Sequence, residues 1–213
     1  MWLLSLCACA SDLGRTLERI ERQVASAPDS AYTALCAIDK SRLSDKGDKA
    51  LYNLLMSEAM YKLYMEEDND SIITLVCQYY KTRPDKQRFM RALFMKAIIE
   101  YYGHEYPQSL ITAREAEAVA LSLDNYEYLA KIYEHMSDLY NITLNPEEDF
   151  KYSTLAADMY KKAGMERNYL FVSVDKAVGL ANLGQKHKSI ELLDRVIEAA
   201  SPSDTALQYY TYE

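Results

Sequence analysis

The chain of 213 residues repeats with a step of 40, and this period restricts the folds that it can adopt. Residue types that end or begin helices recur at that step, at Ser44, Pro84, Asp124, Gly164 and Asp204. Between them, apolar residues recur at helical spacing and strand-like alternation is nearly absent. A helical repeat of this length is a pair of antiparallel helices, which buries its apolar face only by stacking on neighbouring pairs. The sequence therefore predicts an all-α solenoid.

The same step also relates positions inside the helices. Small residues recur at Ser57, Ala97, Ser137 and Ala177. Small or medium apolar residues recur at Cys36, Val76, Ala116, Ala156 and Val196. Because small side chains let two helices approach closely, each repeat is predicted to pack its first helix against a stripe on its second. We therefore expect about five repeats.

Periodicity and breakers together place ten helices in five pairs. The predicted helices span residues 12–26 and 29–39, 47–66 and 70–82, 85–102 and 106–122, 125–143 and 147–163, and 166–183 and 186–200. We divide the chain into a leader (1–11), a degenerate helical hairpin (12–46), a repeat domain (47–203) and the truncated start of a further helix (204–213). This final helix is expected to continue into a longer array or to end against another protein.

Two stretches resemble the tetratricopeptide repeat. Tyr133, Met136, Ser137 and Tyr140 match the bulky, bulky, small, aromatic pattern of its first helix, and Ala156 matches the small position of its second. The segment LANLGQKHKSIELLDRVIEAASP is a second match. The resemblance implies a right-handed superhelical solenoid whose first helices line a groove for peptides or protein segments. HEAT and armadillo repeats, with periods of about 40–47 residues, are the rival fold.

The candidate groove residues lie on the first helices of the third and fourth pairs, one step from the packing stripe. They are Arg91, Phe94, Ile98 and Tyr101 in the third pair, and Lys131, Glu134, Asp138 and Asn141 in the fourth. Mixed aromatic and charged side chains are suited to a peptide ligand. The alternative is that Phe94 and Ile98 belong to the core, and that Lys131 and Glu134 form a solvated face.

Composition and motifs argue against other classes of function. The net charge of -8 repels phosphate backbones, so nucleic-acid binding by this segment is not expected. His104, His135 and His187 lack metal-ligand spacing and are predicted to be surface or groove residues without catalytic duty. The acidic stretch 65–71 lacks the glycine of a calcium loop, and Asp70 is expected to cap the next helix. We expect a binding protein that is not an enzyme and carries no cofactor or metal.

The cysteines fall into two groups. Cys36 and Cys77 lie on apolar stripes and are predicted to be free and buried, with a disulfide between them as the alternative. Cys7 and Cys9 have C-x-C spacing, which excludes a redox C-x-x-C pair, and no further ligands for zinc lie nearby in the sequence.

Leu6-Cys7-Ala8-Cys9 resembles the bacterial lipobox, which implies that Cys9 is lipidated after cleavage of the leader. The hairpin motif PDSA at 28–31, followed by Leu35 and Ile38-Asp39, resembles secreted bacterial tetratricopeptide lipoproteins. This resemblance implies an extracytoplasmic location, with the membrane contacted only through the lipid anchor, and a protein or peptide partner at the cell envelope. The scaffold could be the sensor or docking part of a longer regulatory protein. The alternatives are a structural lipoprotein of outer-membrane assembly and a glycan-binding lipoprotein of nutrient uptake.

Overall fold

The computed structural model describes residues 12–201 and 203–212, which are entirely helical apart from turns. The helices are α1 (Asp12–Gln23), α2 (Pro28–Cys36), α3 (Lys46–Lys62), α4 (Ser71–Lys81), α5 (Lys86–Tyr102), α6 (Tyr106–Ser122), α7 (Tyr126–Ile142), α8 (Pro146–Lys162), α9 (Glu166–Asn182), α10 (Lys186–Ala199) and α11 (Thr205–Tyr212). A short 3-10 turn covers Lys40–Arg42. The leader with Cys7 and Cys9 lies outside the described residues. Within those ranges, no helix is long and apolar enough to span a bilayer.

The predicted all-α fold of repeated helix pairs is confirmed, and most helix limits agree within a few residues. The structure refines the period, because α5 to α10 begin every 20 residues, so the two helices of a pair are nearly equivalent in length. Asparagine and aspartate side chains fix several of these starts. Asp85, Asn125 and Asn145 each accept a hydrogen bond from the third backbone N–H of the following helix, at 3.0, 3.0 and 3.3 Å.

One residue in the left-handed backbone region follows most of the long helices and turns the chain back. The residues are Tyr64, His104, Asp124, Leu144, Gly164 and Gly184. From His104 onward they are spaced by 20, in step with the helix starts. Glycine adopts this conformation without strain, whereas Leu144, at φ 57°, carries a steric penalty. The sequence breakers at 124 and 164 are therefore the turning points themselves.

Replacing Leu144 by glycine is expected to stabilise the protein by about 0.5–1 kcal/mol, because the strained conformation is relieved. The side chain is 87% exposed, so its removal costs little packing. Thermal unfolding would show a rise in Tm of about 1–4 °C. The matched control is Gly164→Ala, where φ is 69° and no atom lies near the added methyl, so backbone strain alone should lower Tm. An unchanged or lower Tm for Leu144→Gly would contradict this account.

The helices form two compact units, the first ending at Gly103 and the second beginning at His104. In the first unit, Leu17, Ile20, Leu35 and Leu55 belong to one buried cluster that joins α1, α2 and α3. In the second, a cluster of Leu170, Val174, Val196 and Leu207 joins α9, α10 and α11. Leu207 is buried there, so α11 packs against α9 and α10. The residues that the sequence placed at the groove lie on α5, the last helix of the first unit, and on α7, the second helix of the second unit.

Candidate binding surface

Arg91 is held in an ion-pair network inside the first unit. Its guanidinium donates to both oxygens of Glu58 on α3, at 2.7 and 2.6 Å, and to Glu21 on α1. Arg88 also donates to Glu21, at 2.6 and 3.0 Å. Burial opposes ionisation of Glu21, but the hydrogen bonds and charges of Arg88 and Arg91 outweigh it and lower its pKa. The guanidinium of Arg91 therefore joins α5 to α1 and α3, and its role as a groove ligand stays a prediction.

The aromatic and aliphatic candidates on α5 are largely covered. Phe94 is 2% exposed and meets the ring of Tyr61 edge-to-face, with centroids 6.1 Å apart. Ile98 is also buried. A ligand cannot reach either side chain, so these positions belong to the core, as the alternative reading allowed. Tyr101 is half-buried, with its ring against Tyr102 at 5.7 Å.

The four candidates on α7 remain accessible to different degrees. Lys131 is half-buried and pairs with Glu127 at 2.5 Å. Glu134 is half-buried and accepts a hydrogen bond from the Tyr160 hydroxyl. Asp138 and Asn141 are exposed. Because these positions are separated by three or four residues, they follow one face of the helix. The structure therefore keeps this set together on the surface.

Glu134, Asp138 and Asp175 form what we call the acidic surface of the second unit. Burial, followed by the charges of Glu134, Asp175 and Asp149, raises the pKa of Asp138 well above its usual value. Burial raises the pKa of Glu134 to about 6, with the charge of Asp175 adding to it. The three carboxylates therefore lie close enough for their charges to act on one another.

Sequence reasoning missed Asp175, which lies on α9. Burial raises its pKa, and the Tyr210 hydroxyl donates to it at 2.8 Å, which partly opposes that rise. Tyr210 also packs on Phe171, with ring centroids 5.8 Å apart, so α11 helps to position Asp175. The sequence did contain a signal for Asp175. It is the single carboxylate in a segment whose residues 170–174 and 177–180 are apolar or small.

The division into units separates the charges of the chain. Residues 12–103 contain 14 basic and 14 acidic side chains, whereas residues 104–213 contain 10 basic and 18 acidic ones. The first unit is therefore neutral overall, and the net charge of -8 resides in the second unit. A cationic ligand is attracted to the second unit and gains little from the first.

His135 is buried, so its prediction as a surface or groove residue was wrong. It is 4% exposed, and its Nε2 lies 2.8 Å from the Oγ of Ser109, which is fully buried. A serine and a histidine in contact raise the question of nucleophilic catalysis, which needs access for a substrate. In this conformation both side chains are closed from solvent, so the contact is a structural one.

Acidification is expected to destabilise the protein through His135. Burial lowers its pKa from 6.5 to about 4, so the unfolded chain takes up this proton first. The contribution of neutral His135 to the free energy of unfolding is fully present above pH 6.5. It is lost as the pH falls toward 4, and the total loss approaches roughly 3 kcal/mol. Urea unfolding across this range should show a smaller loss for His135→Gln than for the parent protein. Ser109→Ala is the control, and should lower stability without removing the pH dependence; equal pH profiles for His135→Gln and the parent would contradict the assignment.

The described part of the chain contains neither a disulfide nor a group of side chains arranged to bind a metal ion. Neither Cys36 nor Cys77 is in a disulfide there; Cys77 is buried as predicted, whereas Cys36 is exposed. No group of three His, Cys, Asp or Glu side chains within residues 12–201 and 203–212 is arranged to hold a metal ion. Asp70 does not cap α4 through its carboxylate; Asn69 accepts from the Ser71 N–H instead, at 3.0 Å.

Comparisons with known proteins bear on the fold. No family model matches the chain, and no curated protein matches it. The crystal structure of the apo form of RapI is similar, with a TM-score of 0.72 and 14% sequence identity over 91% of this chain and 72% of that one. The similarity extends over both units and shows a shared helical-repeat fold. The finer assignment to tetratricopeptide repeats stays a prediction from the sequence.

Proposed function

We propose that this protein is a non-catalytic helical-repeat scaffold that binds a positively charged segment of a partner protein on the acidic surface of its second unit. The observation that carries the proposal is Asp138. Its side chain is exposed and has neighbouring carboxylates that help to raise its pKa, and it forms no hydrogen bond or ion pair with any residue that the structure describes. Glu134 and Asp175 each accept a hydrogen bond from a tyrosine hydroxyl, and Lys131 is the cation whose charge acts on Glu134 within the described part of the chain.

A lysine or arginine side chain would relieve the unfavourable electrostatics of this surface. Glu134 and Asp138 are one helical turn apart, so their carboxylates can approach the same guanidinium. A bound cation would lower the raised pKa values and replace the mutual repulsion of three carboxylates by attraction. The surrounding protein strengthens each pair relative to one in open solvent. Recognition of a cation by this group of carboxylates is thus the function that the geometry supports best.

Selection from a displayed library of random peptides tests the proposal. Peptides retained by the protein should be enriched in lysine and arginine. The variant E134Q/D138N/D175N should bind the best retained peptide at least about tenfold more weakly. The control D158N/D194N/E198Q removes the same charge from exposed positions on α8 and α10 and should bind almost normally. Undiminished binding by the first variant, or no enrichment of basic residues, would refute the proposal.

The pH offers a second measurement on the same peptide. Because the pKa of Glu134 is about 6, this carboxylate gains a proton at mildly acidic pH, and the raised pKa of Asp138 acts in the same direction. Affinity should therefore fall as the pH is lowered from 7.5 to below 6. Binding of the E134Q/D138N/D175N variant should be nearly independent of pH over that interval.

We also propose an envelope location, with the chain anchored through Cys9. This rests on the resemblance of Leu6-Cys7-Ala8-Cys9 to the lipobox, in a segment outside the described residues. Incorporation of labelled palmitate into the expressed protein, and its loss in Cys9→Ser but not in Cys7→Ser, is the expected result. Equal labelling of the parent protein and Cys9→Ser would exclude that anchor.

A further inference from the structure

We infer that the first unit has a separate binding surface, between α3 and α4, for an acidic peptide segment of a partner protein. A groove of about 460 Å³ opens there. Its lining includes Lys46, Lys49 and Asn53 from α3, Leu75 and Tyr79 from α4, and Arg83 just beyond α4. We call it the basic groove. Its size lies within the usual range of ligand sites, about 300–1,000 Å³.

The charge of the basic groove is unbalanced. Three cations line it, and none of the described residues that line it is a carboxylate. Lys46 and Lys49 are exposed, and neither forms an ion pair with a residue that the structure describes. This local excess occurs in a unit whose basic and acidic residues are equal in number. The groove is therefore a positive patch in a neutral surrounding.

The position of the two lysines adds to this potential. Both lie in the first turn of α3, where the helix dipole is positive and attracts anions. The nearby Asp45 carboxylate is occupied in capping, accepting from the Gly47 and Asp48 N–H groups at 2.7 and 3.0 Å. Asp48 also lies in this first turn, and a bound carboxylate would pair with the two exposed ammonium groups of Lys46 and Lys49.

Arg83 is pre-positioned at the other side of the groove. Its guanidinium lies 3.7 Å from the centre of the Tyr79 ring, and one Nη donates to the Tyr79 carbonyl at 2.9 Å. Its Nε and second Nη make no hydrogen bond to the described part of the chain. Stacking on an aromatic ring while one edge stays open is the geometry in which arginine binds a carboxylate through two hydrogen bonds.

The remaining lining of the basic groove favours an acidic peptide over a nucleic acid. Leu75 is 63% exposed on the same groove and offers a contact for an apolar side chain, which a phosphate backbone does not use. The amide of Asn53 can both donate to and accept from the main chain of an extended peptide. A long nucleic acid is also repelled by the net charge of -8, whereas a short peptide with a few carboxylates meets less repulsion. The chemistry therefore fits glutamate or aspartate residues beside leucine.

Fluorescence anisotropy with a labelled Glu-Glu-Leu-Glu-Glu-Leu peptide tests the inference on the full chain. The peptide should bind at least about tenfold more tightly than the same peptide with glutamine in place of glutamate. The variant K46Q/K49Q/R83Q should lose at least that factor. The control R19Q/R22Q/K40Q removes the same charge from exposed positions of the same unit and should bind within about twofold of the parent protein.

Two further arms separate the local groove from general electrostatics. Leu75→Ser leaves the charge unchanged and should weaken binding of the leucine peptide by about threefold or more. Circular dichroism of each variant should show the parent helicity, since all the replaced lining side chains are exposed. Equal losses in the two triple variants, no preference for glutamate over glutamine, or tighter binding of an oligothymidylate than of the peptide would each overturn the inference.

Discussion

Replacing Arg91 by alanine is expected to lower the free energy of unfolding by about 3–5 kcal/mol. The Glu58 side chain is 6% exposed and receives two hydrogen bonds from Arg91, so the variant leaves a buried carboxylate without its cation. Glu21 would keep Arg88 but lose its second arginine. Removing one member of a buried ion network costs far more than removing an exposed pair, because the remaining charge is not rehydrated.

Urea unfolding monitored by circular dichroism measures this effect. Arg15→Ala is the matched control, because Arg15 pairs with Asp12 at 3.8 Å on an exposed surface and should change stability by less than about 0.5 kcal/mol. Adding Glu58→Gln to Arg91→Ala should restore part of the loss, since the unpaired charge is then absent. A loss of under about 1 kcal/mol in Arg91→Ala would show that the network does not hold the three helices together.

Replacing Gly179 by valine is expected to destabilise the second unit by about 2–3 kcal/mol. Gly179 lies where α9 crosses α8, and a Cβ placed there would stand 3.2 Å from the Cα and Cβ of Phe150 and 3.5 Å from its backbone nitrogen. The obstacle is mostly main chain, which cannot rotate away. A branched side chain would therefore push the two helices apart, in a core that is packed to crystal-like density.

A graded series of variants separates this clash from helix propensity. Gly179→Ala should be milder than Gly179→Val, because the gain in helix propensity offsets part of its tight contact. Adding Phe150→Ala should not rescue Gly179→Val, since trimming the ring leaves the backbone in place. Val178→Ala, at the exposed neighbouring position, should change Tm by only a degree or two. A rescue by Phe150→Ala would assign the contact to the ring instead.

The helix pairs were predictable because their signals are local. Capping residues such as Asn125 and Asn145, and breakers such as Gly164, act within one turn of their own position. Their effect on the backbone therefore does not depend on which helices pack around them. The 20-residue spacing was less visible, since Leu144 occupies a turning position that usually calls for glycine or asparagine.

The site was only partly predictable, because exposure depends on neighbours that are distant in sequence. Helix α5 is rich in apolar side chains around much of its circumference, so periodicity could not separate Phe94 in the core from an accessible face. Helix α7 has a clearer polar face, on which Glu134 is half-buried and Asp138 is exposed. The contribution of Asp175 comes from a different repeat and required the structure.

The left-handed turning points have a consequence for how such a chain can change in length. Asp124 and Gly164 have φ values of 49° and 69° and occupy equivalent positions in successive pairs. Excising or duplicating the segment between two such points would join two residues of the same backbone conformation. Each remaining helix would then begin at the same residue and pack against an equivalent neighbour. The array can therefore gain or lose whole helix pairs. An insertion of any other length would rotate every later helix relative to the helices that it packs against.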